Sequence, residues 1–155
     1  PSRRYAVGLP QGYLLGIGSN IDPQRNALRI VDCLRQRFGE IVLSGFHETA
    51  PVGMDSDHRF INFCAFAQTS LDTGACKEAC IAIEVELGRD RTHPFRKTRD
   101  RAADIDLLTF IDVHGHQVQL ELIADYLFQP AAEIVAILPP RRAIIAARGC
   151  VRTFT

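Results

Sequence analysis

Read for the spacing of its apolar residues, the segment from Tyr13 to Ile111 runs strand, helix, strand, strand, helix, strand, and that order restricts the fold more than any other feature. Tyr13 to Ile17 is a short apolar run ending at Gly18-Ser19-Asn20. Asp22 offers an N-cap and Pro23 suits a first helical position, with Ala27, Ile30, Val31, Leu34 and Phe38 forming one stripe before Gly39. Ile41 to Glu48 reads as a strand, Thr49 to Gly53 as a loop, and Phe60 to Thr69 as the next strand. Asp72 caps a second helix with a stripe of Cys76, Cys80, Ile83 and Leu87, ended by Gly88. Asp104 to Ile111 is the fourth strand. This is the order of an α+β, ferredoxin-like βαββαβ sandwich, an antiparallel sheet with helices packed on one face. Residues 113–155 form an extra, divergent C-terminal segment. Helices are expected near Ala131–Ile137 and Arg141–Ala147, separated by Pro139-Pro140.

A chain of 155 residues suits a single domain spanning 1–155, with a loose tail over residues 1–12. The apolar share of 46% and charged share of 23% exclude disorder and low complexity. No apolar run is long enough to span a bilayer, and Pro1 to Gly12 has no signal core. The five cysteines are odd in number and show no CxxC pair; buried, reduced thiols in a cytoplasmic protein are the expectation, with a metal or disulfide role as the alternative. Eighteen basic residues balance eighteen acidic ones, which gives no general attraction to nucleic acid or membrane. The balance is uneven, however: Arg89, Arg91, Arg96, Lys97, Arg99 and Arg101 crowd one loop.

That loop runs into the most suggestive pair of side chains. Asp104 and Asp106 are two apart on a strand and share a face. Two carboxylates beside arginines can hold magnesium together with phosphate oxygens, and guanidinium forks match phosphates. A solvent-facing acidic pair and a solvated charge run are the plainer readings of the same residues. Asn62 lies on a face with Phe60, Cys64 and Phe66, where an amide needs partners. They are either backbone groups or the polar edge of a flat heterocycle stacked on Phe60. No Walker loop, GxGxxG, HExxH or GxSxG occurs.

Taken together, Gly18-Ser19-Asn20, Glu48-Thr49-Ala50-Pro51-Val52-Gly53, Phe60-Ile61-Asn62, Ile83 through Arg91, and Arg101-Ala102-Ala103-Asp104-Ile105-Asp106-Leu107-Leu108 resemble the 6-hydroxymethyl-7,8-dihydropterin pyrophosphokinase family. The resemblance implies transfer of pyrophosphate from ATP to a reduced pterin, releasing AMP, in folate biosynthesis. It implies Asp104 and Asp106 as ligands of two Mg2+ ions. Glu84, Arg89, Arg91 and Arg101 would lie along the nucleotide, the three arginines acting in catalysis. Thr49, Val52, Phe60 and Asn62 would line the pterin pocket. A monomer acting on small molecules, with no nucleic acid or membrane partner, is the matching expectation.

Two stretches depart from the family pattern. Thr98-Arg99-Asp100-Arg101 stands where a Trp-Gly-Pro-Arg-like stretch is usual. Pro130 to Val135 lacks the usual histidine, arginine and stacking aromatic, which Phe128 or Tyr126 would have to replace. The departures leave a second reading, a paralogue with an altered acceptor or no catalysis. An RNA-binding ferredoxin-like module is a third, disfavoured by the missing aromatic RNP pattern and the neutral charge.

Overall fold

The structure, a computed structural model, describes residues 11–111, 120–138, 143–147 and 150–154. The central strand is β1 (Gly12–Ser19), followed by helix α1 (Pro23–Phe38), β2 (Ile41–Leu43), β3 (His47–Thr49), β4 (Phe60–Gln68), α2 (Thr73–Glu86) and β5 (Asp104–Ile111). A 3-10 turn (Leu120–Leu122), helix α3 (Asp125–Ile137) and the strands β6 (Ala143–Ala147) and β7 (Cys150–Phe154) complete the described elements. In the main sheet β4 and β5 flank β1, and β2 and β3 both pair with β4 on its far side. Every pairing is antiparallel. The expected α+β ferredoxin-like arrangement is therefore present.

The stripes read from the sequence explain the layers. Because alternate residues of a strand face opposite ways, Tyr13, Leu15 and Ile17 of β1 face α1 and α2, packing with Ile30, Leu34, Cys76 and Ile83. Leu14 faces the other way and joins Cys64 and Phe66 beneath Leu127, Ala131 and Ile134 of α3. The sheet is thus covered on both faces, two helices on one and α3 on the other.

Four local expectations are corrected. The strand expected over Ile41–Glu48 is two strands. Leu43 pairs with Ala65 and His47 with Asn62, so Ser44, Gly45 and Phe46 bulge opposite two residues of β4. Ser44 holds the bulge: its N–H donates to the Cys64 carbonyl at 3.0 Å, and its Oγ accepts from the Cys64 N–H at 2.8 Å. Asp22 sits at the head of α1 in a left-handed conformation with φ 39°, and its side chain caps nothing; Asp72 does cap α2, accepting from the Ala75 N–H at 2.8 Å. Helix α3 begins at Asp125 and runs through the fully buried Pro130, although proline has no N–H for the Tyr126 carbonyl. Finally, the helix expected near Arg141–Ala147 is the strand β6, paired with β7. Of the expected tail, residues 1–10 lie outside the described residues, and Gly12 already belongs to β1.

Cys33, Cys64, Cys76 and Cys80 are buried free thiols. Burial, aided by Glu133, pushes the Cys64 thiol up to about 12, so it packs as a neutral group. Among the described residues no helix is long and apolar enough to cross a membrane.

Candidate functional site

The register of the three inner strands sets out a small floor. Gly18 of β1 pairs with Asn62 on one side and Asp104 on the other; two residues along, Gly16 pairs with Cys64 and Asp106. Paired residues share a face, so Asn62 and Asp104 stand on either side of a bare glycine, about 10 Å apart by strand spacing. A Cβ on Gly18 would lie 2.8 Å from Asn62 Oδ1 and 3.3 Å from Phe60 Cδ1. Gly16 serves a different need: there a Cβ would collide with the Leu127 side chain of α3 at 2.5 Å. In the sequence Gly18 stands out only with Ser19 and Asn20 at the end of the first apolar run, and Gly16 does not stand out at all. A glycine's purpose depends on what stands opposite it, which no local pattern reveals.

Over this floor is a cleft of about 160 Å³. Thr49, Val52, Phe60 and Asn62 line one side, and Asp104, Asp106 and Arg101 the other. Met54 and Lys97 from the loops and Tyr126 from α3 complete it. Asn62 is buried and donates through Nδ2 to Thr49 Oγ1. Val52 is mostly exposed at the rim. Of the two candidates for a replacement aromatic, Tyr126 reaches the cleft, whereas Phe128 packs against the core under α3.

The acidic side of the cleft is an ion-pair network. Arg89 Nη1 donates to Asp104 Oδ1 at 2.7 Å, and Arg101 Nη1 donates to Asp104 Oδ2 at 3.0 Å. Arg89 Nη1 also reaches Glu84 Oε2 at 3.0 Å, which Arg91 bonds as well. Glu84 is 2% exposed, and its Oε1 accepts the Ile105 N–H of β5 at 2.9 Å. Both of its oxygens are therefore used within the chain, and Glu84 ties α2, β5 and two arginines together from beneath the cleft. Among the described residues no arginine bonds Asp106. Burial within the cleft, then the charges of Asp104 and Glu84, hold its carboxyl above the ordinary value despite Arg89 and Arg101. The same two aspartates, after burial, raise the Tyr126 phenol.

The loop carrying Arg101 is anchored from a distance. Asn20, just past β1, donates its N–H to the Arg101 carbonyl at 3.0 Å and accepts the Arg101 N–H on Oδ1 at 2.7 Å. Its Nδ2 donates to Asp100 Oδ1 at 2.9 Å, while Asp100 Oδ2 meets His58 Nδ1 at 2.6 Å. Arg101 Nη2 donates to the Lys97 carbonyl. In the sequence Asn20 stands out only within Gly18-Ser19-Asn20, and His58 does not stand out at all, because the partners are far apart in the chain.

The family model described as 7,8-dihydro-6-hydroxymethylpterin-pyrophosphokinase (HPPK) matches residues 14–143. The chain belongs to this family. Proteins of two Porphyromonas gingivalis strains named 2-amino-4-hydroxy-6-hydroxymethyldihydropteridine pyrophosphokinase are 34% identical over 96 residues, covering 61% of this chain and 65% of theirs. A Bacillus subtilis protein of the same name is 32% identical over 99 residues, covering 62% of this chain and 58% of its own. The chain thus spans less than two-thirds of the length of these HPPK relatives.

Proposed function

We propose that the chain transfers pyrophosphate from ATP to the hydroxymethyl group of 6-hydroxymethyl-7,8-dihydropterin, releasing AMP. The observation that carries this reading is the cleft itself: a buried amide and a phenyl ring face an aspartate pair and an arginine across a glycine. Asn62, supported by Thr49, would hold the polar edge of the pterin, with Phe60 against the ring and Val52 at the rim. The acceptor hydroxyl would then point along the floor towards Asp104 and Asp106.

Those aspartates fit magnesium. Both are hard oxygen donors on one face, and burial with the charges of Asp104 and Glu84 raises the Asp106 carboxyl, a penalty that a bound cation would relieve. Among the described residues no group of three or more His, Cys, Asp or Glu side chains could hold a metal, so phosphate oxygens would complete the shell. Two Mg2+ ions bound there would neutralise charge developing on the transferring group. Arg89, Arg91 and Arg101, released from their carboxylates, would orient the phosphates for in-line attack. Glu84 would serve the nucleotide indirectly, by holding Arg89 and Arg91. The reading takes residues 1–155 as one domain, a monomer in the cytoplasm, with no nucleic acid or membrane partner.

The test is incubation with ATP, magnesium and the dihydropterin, followed by assay for AMP. Turnover that disappears in both Asp104→Ala and Asp106→Ala supports the reading. AMP release indifferent to the pterin would overturn the acceptor assignment.

A further inference from the structure

A second cavity, of about 420 Å³, opens on the α1 and α2 side of the loop. Arg25, Arg29, Arg89, Arg96, Arg99 and Arg101 line it. Arg25 and Arg29 are one turn apart near the N-terminus of α1, where like charges at this spacing repel and the helix dipole disfavours cations. Nothing in folding asks for arginines there. Asp22, Asp90 and Asp100 share the lining, but among the described residues none of them is in ion-pair contact with an arginine, although the Arg99 charge contributes to lowering the Asp90 carboxyl. The Asp90 carboxylate is taken by the N–H and hydroxyl of Thr92, and that of Asp100 by Asn20 and His58. Arg25, Arg96 and Arg99 make no ion pair among the described residues, and Arg29 bonds only the Asn26 amide. The Nε of Arg89, wholly buried, has no hydrogen-bond partner.

We propose that this cavity is a second anion site, taking the diphosphate group of a small molecule. The guanidinium forks suit adjoining phosphate oxygens, and a bound diphosphate would relieve the repulsion between Arg25 and Arg29. Arg101 lines both cavities, and Arg89, which lines this one, bonds Asp104, so the site lies behind the arginines that hold Asp104. The diphosphate could be free pyrophosphate or the tail of a nucleotide.

The test is calorimetric titration of the full chain, without magnesium, with inorganic pyrophosphate in one arm and ADP in the other. The readout is the comparison of wild type with Arg25→Ala/Arg99→Ala. Affinity about tenfold lower or more in the double variant is expected for at least one ligand. Weakening of both identifies the nucleotide tail as an acceptable source, and weakening of pyrophosphate alone identifies the free anion. Arg35→Ala/Arg37→Ala removes the same charge elsewhere on α1 and should leave affinity within about twofold. No binding of either ligand, affinity unchanged in Arg25→Ala/Arg99→Ala, or equal weakening in both double variants overturns the proposal. None of these outcomes depends on pterin turnover, so the site can fail while the proposed activity stands, and the reverse.

Discussion

Asn20 and Arg101, 81 residues apart, exchange two hydrogen bonds, one between their backbones and one from the Arg101 N–H to the Asn20 amide. The contact fixes the end of the arginine loop to the end of β1, beside the floor. Arg101 is buried there. Asn20→Ala would leave the Arg101 N–H without its acceptor and release Asp100 too. We expect a loss of about 1–3 kcal/mol in chemical denaturation. Hydrogen exchange at residues 97–102 should rise more than in the strands.

Asp100 makes that anchor pH-dependent. Burial raises its carboxyl, but hydrogen bonds from Ser56, His58 and Asn20 outweigh burial and leave it below its ordinary value. A carboxyl lowered in the folded state stabilises above its unfolded pKa, and the contribution disappears as pH falls through the lowered one. Stability of wild type relative to Asp100→Asn should therefore narrow on acidification below about pH 4. A difference constant with pH would assign the anchor to shape alone.

Asp106 carries the opposite sign. Its raised carboxyl is destabilising when ionised, above the raised value, and neutral in effect below the unfolded one. Asp106→Asn should stabilise the ligand-free protein at pH 7 and abolish AMP formation. Because the side chain, though crowded within the cleft, still reaches solvent, the gain is at most about 1 kcal/mol, or ~2–4 °C in Tm. The gain should vanish near pH 3. A lower Tm at neutral pH would mean Asp106 holds structure instead.

Gly18→Ala probes the floor. Its Cβ would press on Asn62 and Phe60. Titration of a fluorescent pterin should weaken by about tenfold or more in this variant and also in Asn62→Ala. Tight binding in both would put the ring elsewhere.

Glu84→Gln should be the most damaging substitution to stability. It leaves Arg89 and Arg91 without their shared carboxylate in a buried setting, a change of about 3–5 kcal/mol when one partner of such a pair is removed. Thermal unfolding compared with Arg91→Ala, whose side chain is partly exposed, separates the buried partner from the outer one.

The fold was legible where side-chain periodicity alone decides it. The stripes of α1 and α2 and the strands around Leu15, Phe66 and Ile105 each bury one face, so their spacing carries the answer. The bulge at Ser44 was not, since it depends on a hydroxyl meeting Cys64 across the sheet. At Arg141–Ala147 the alanines suggest a helix, whereas Ile144 and Ile145 belong to a strand, where β-branching is favoured. In the site, Asp104, Asp106 and Asn62 could be picked out because charged or amide groups on strands need partners. Glu84 lies along the nucleotide only by the family resemblance, and its burial beneath Arg89 and Arg91 appears only in three dimensions. The roles of Gly18, Asn20 and His58 arise from contacts between distant segments.

Both oxygens of Asp104 are engaged by guanidinium groups, so without a ligand the carboxylate is already neutralised. A lone divalent cation would have to displace two arginines and leave them facing it. A cation arriving with a polyphosphate brings the arginines a new counter-charge in the same event. On the proposed reading the cleft would act as a coincidence detector, poorly responsive to metal or to free polyphosphate alone and responsive to the two together. Such logic would guard a neutral chain against sequestering whichever of the two is in excess.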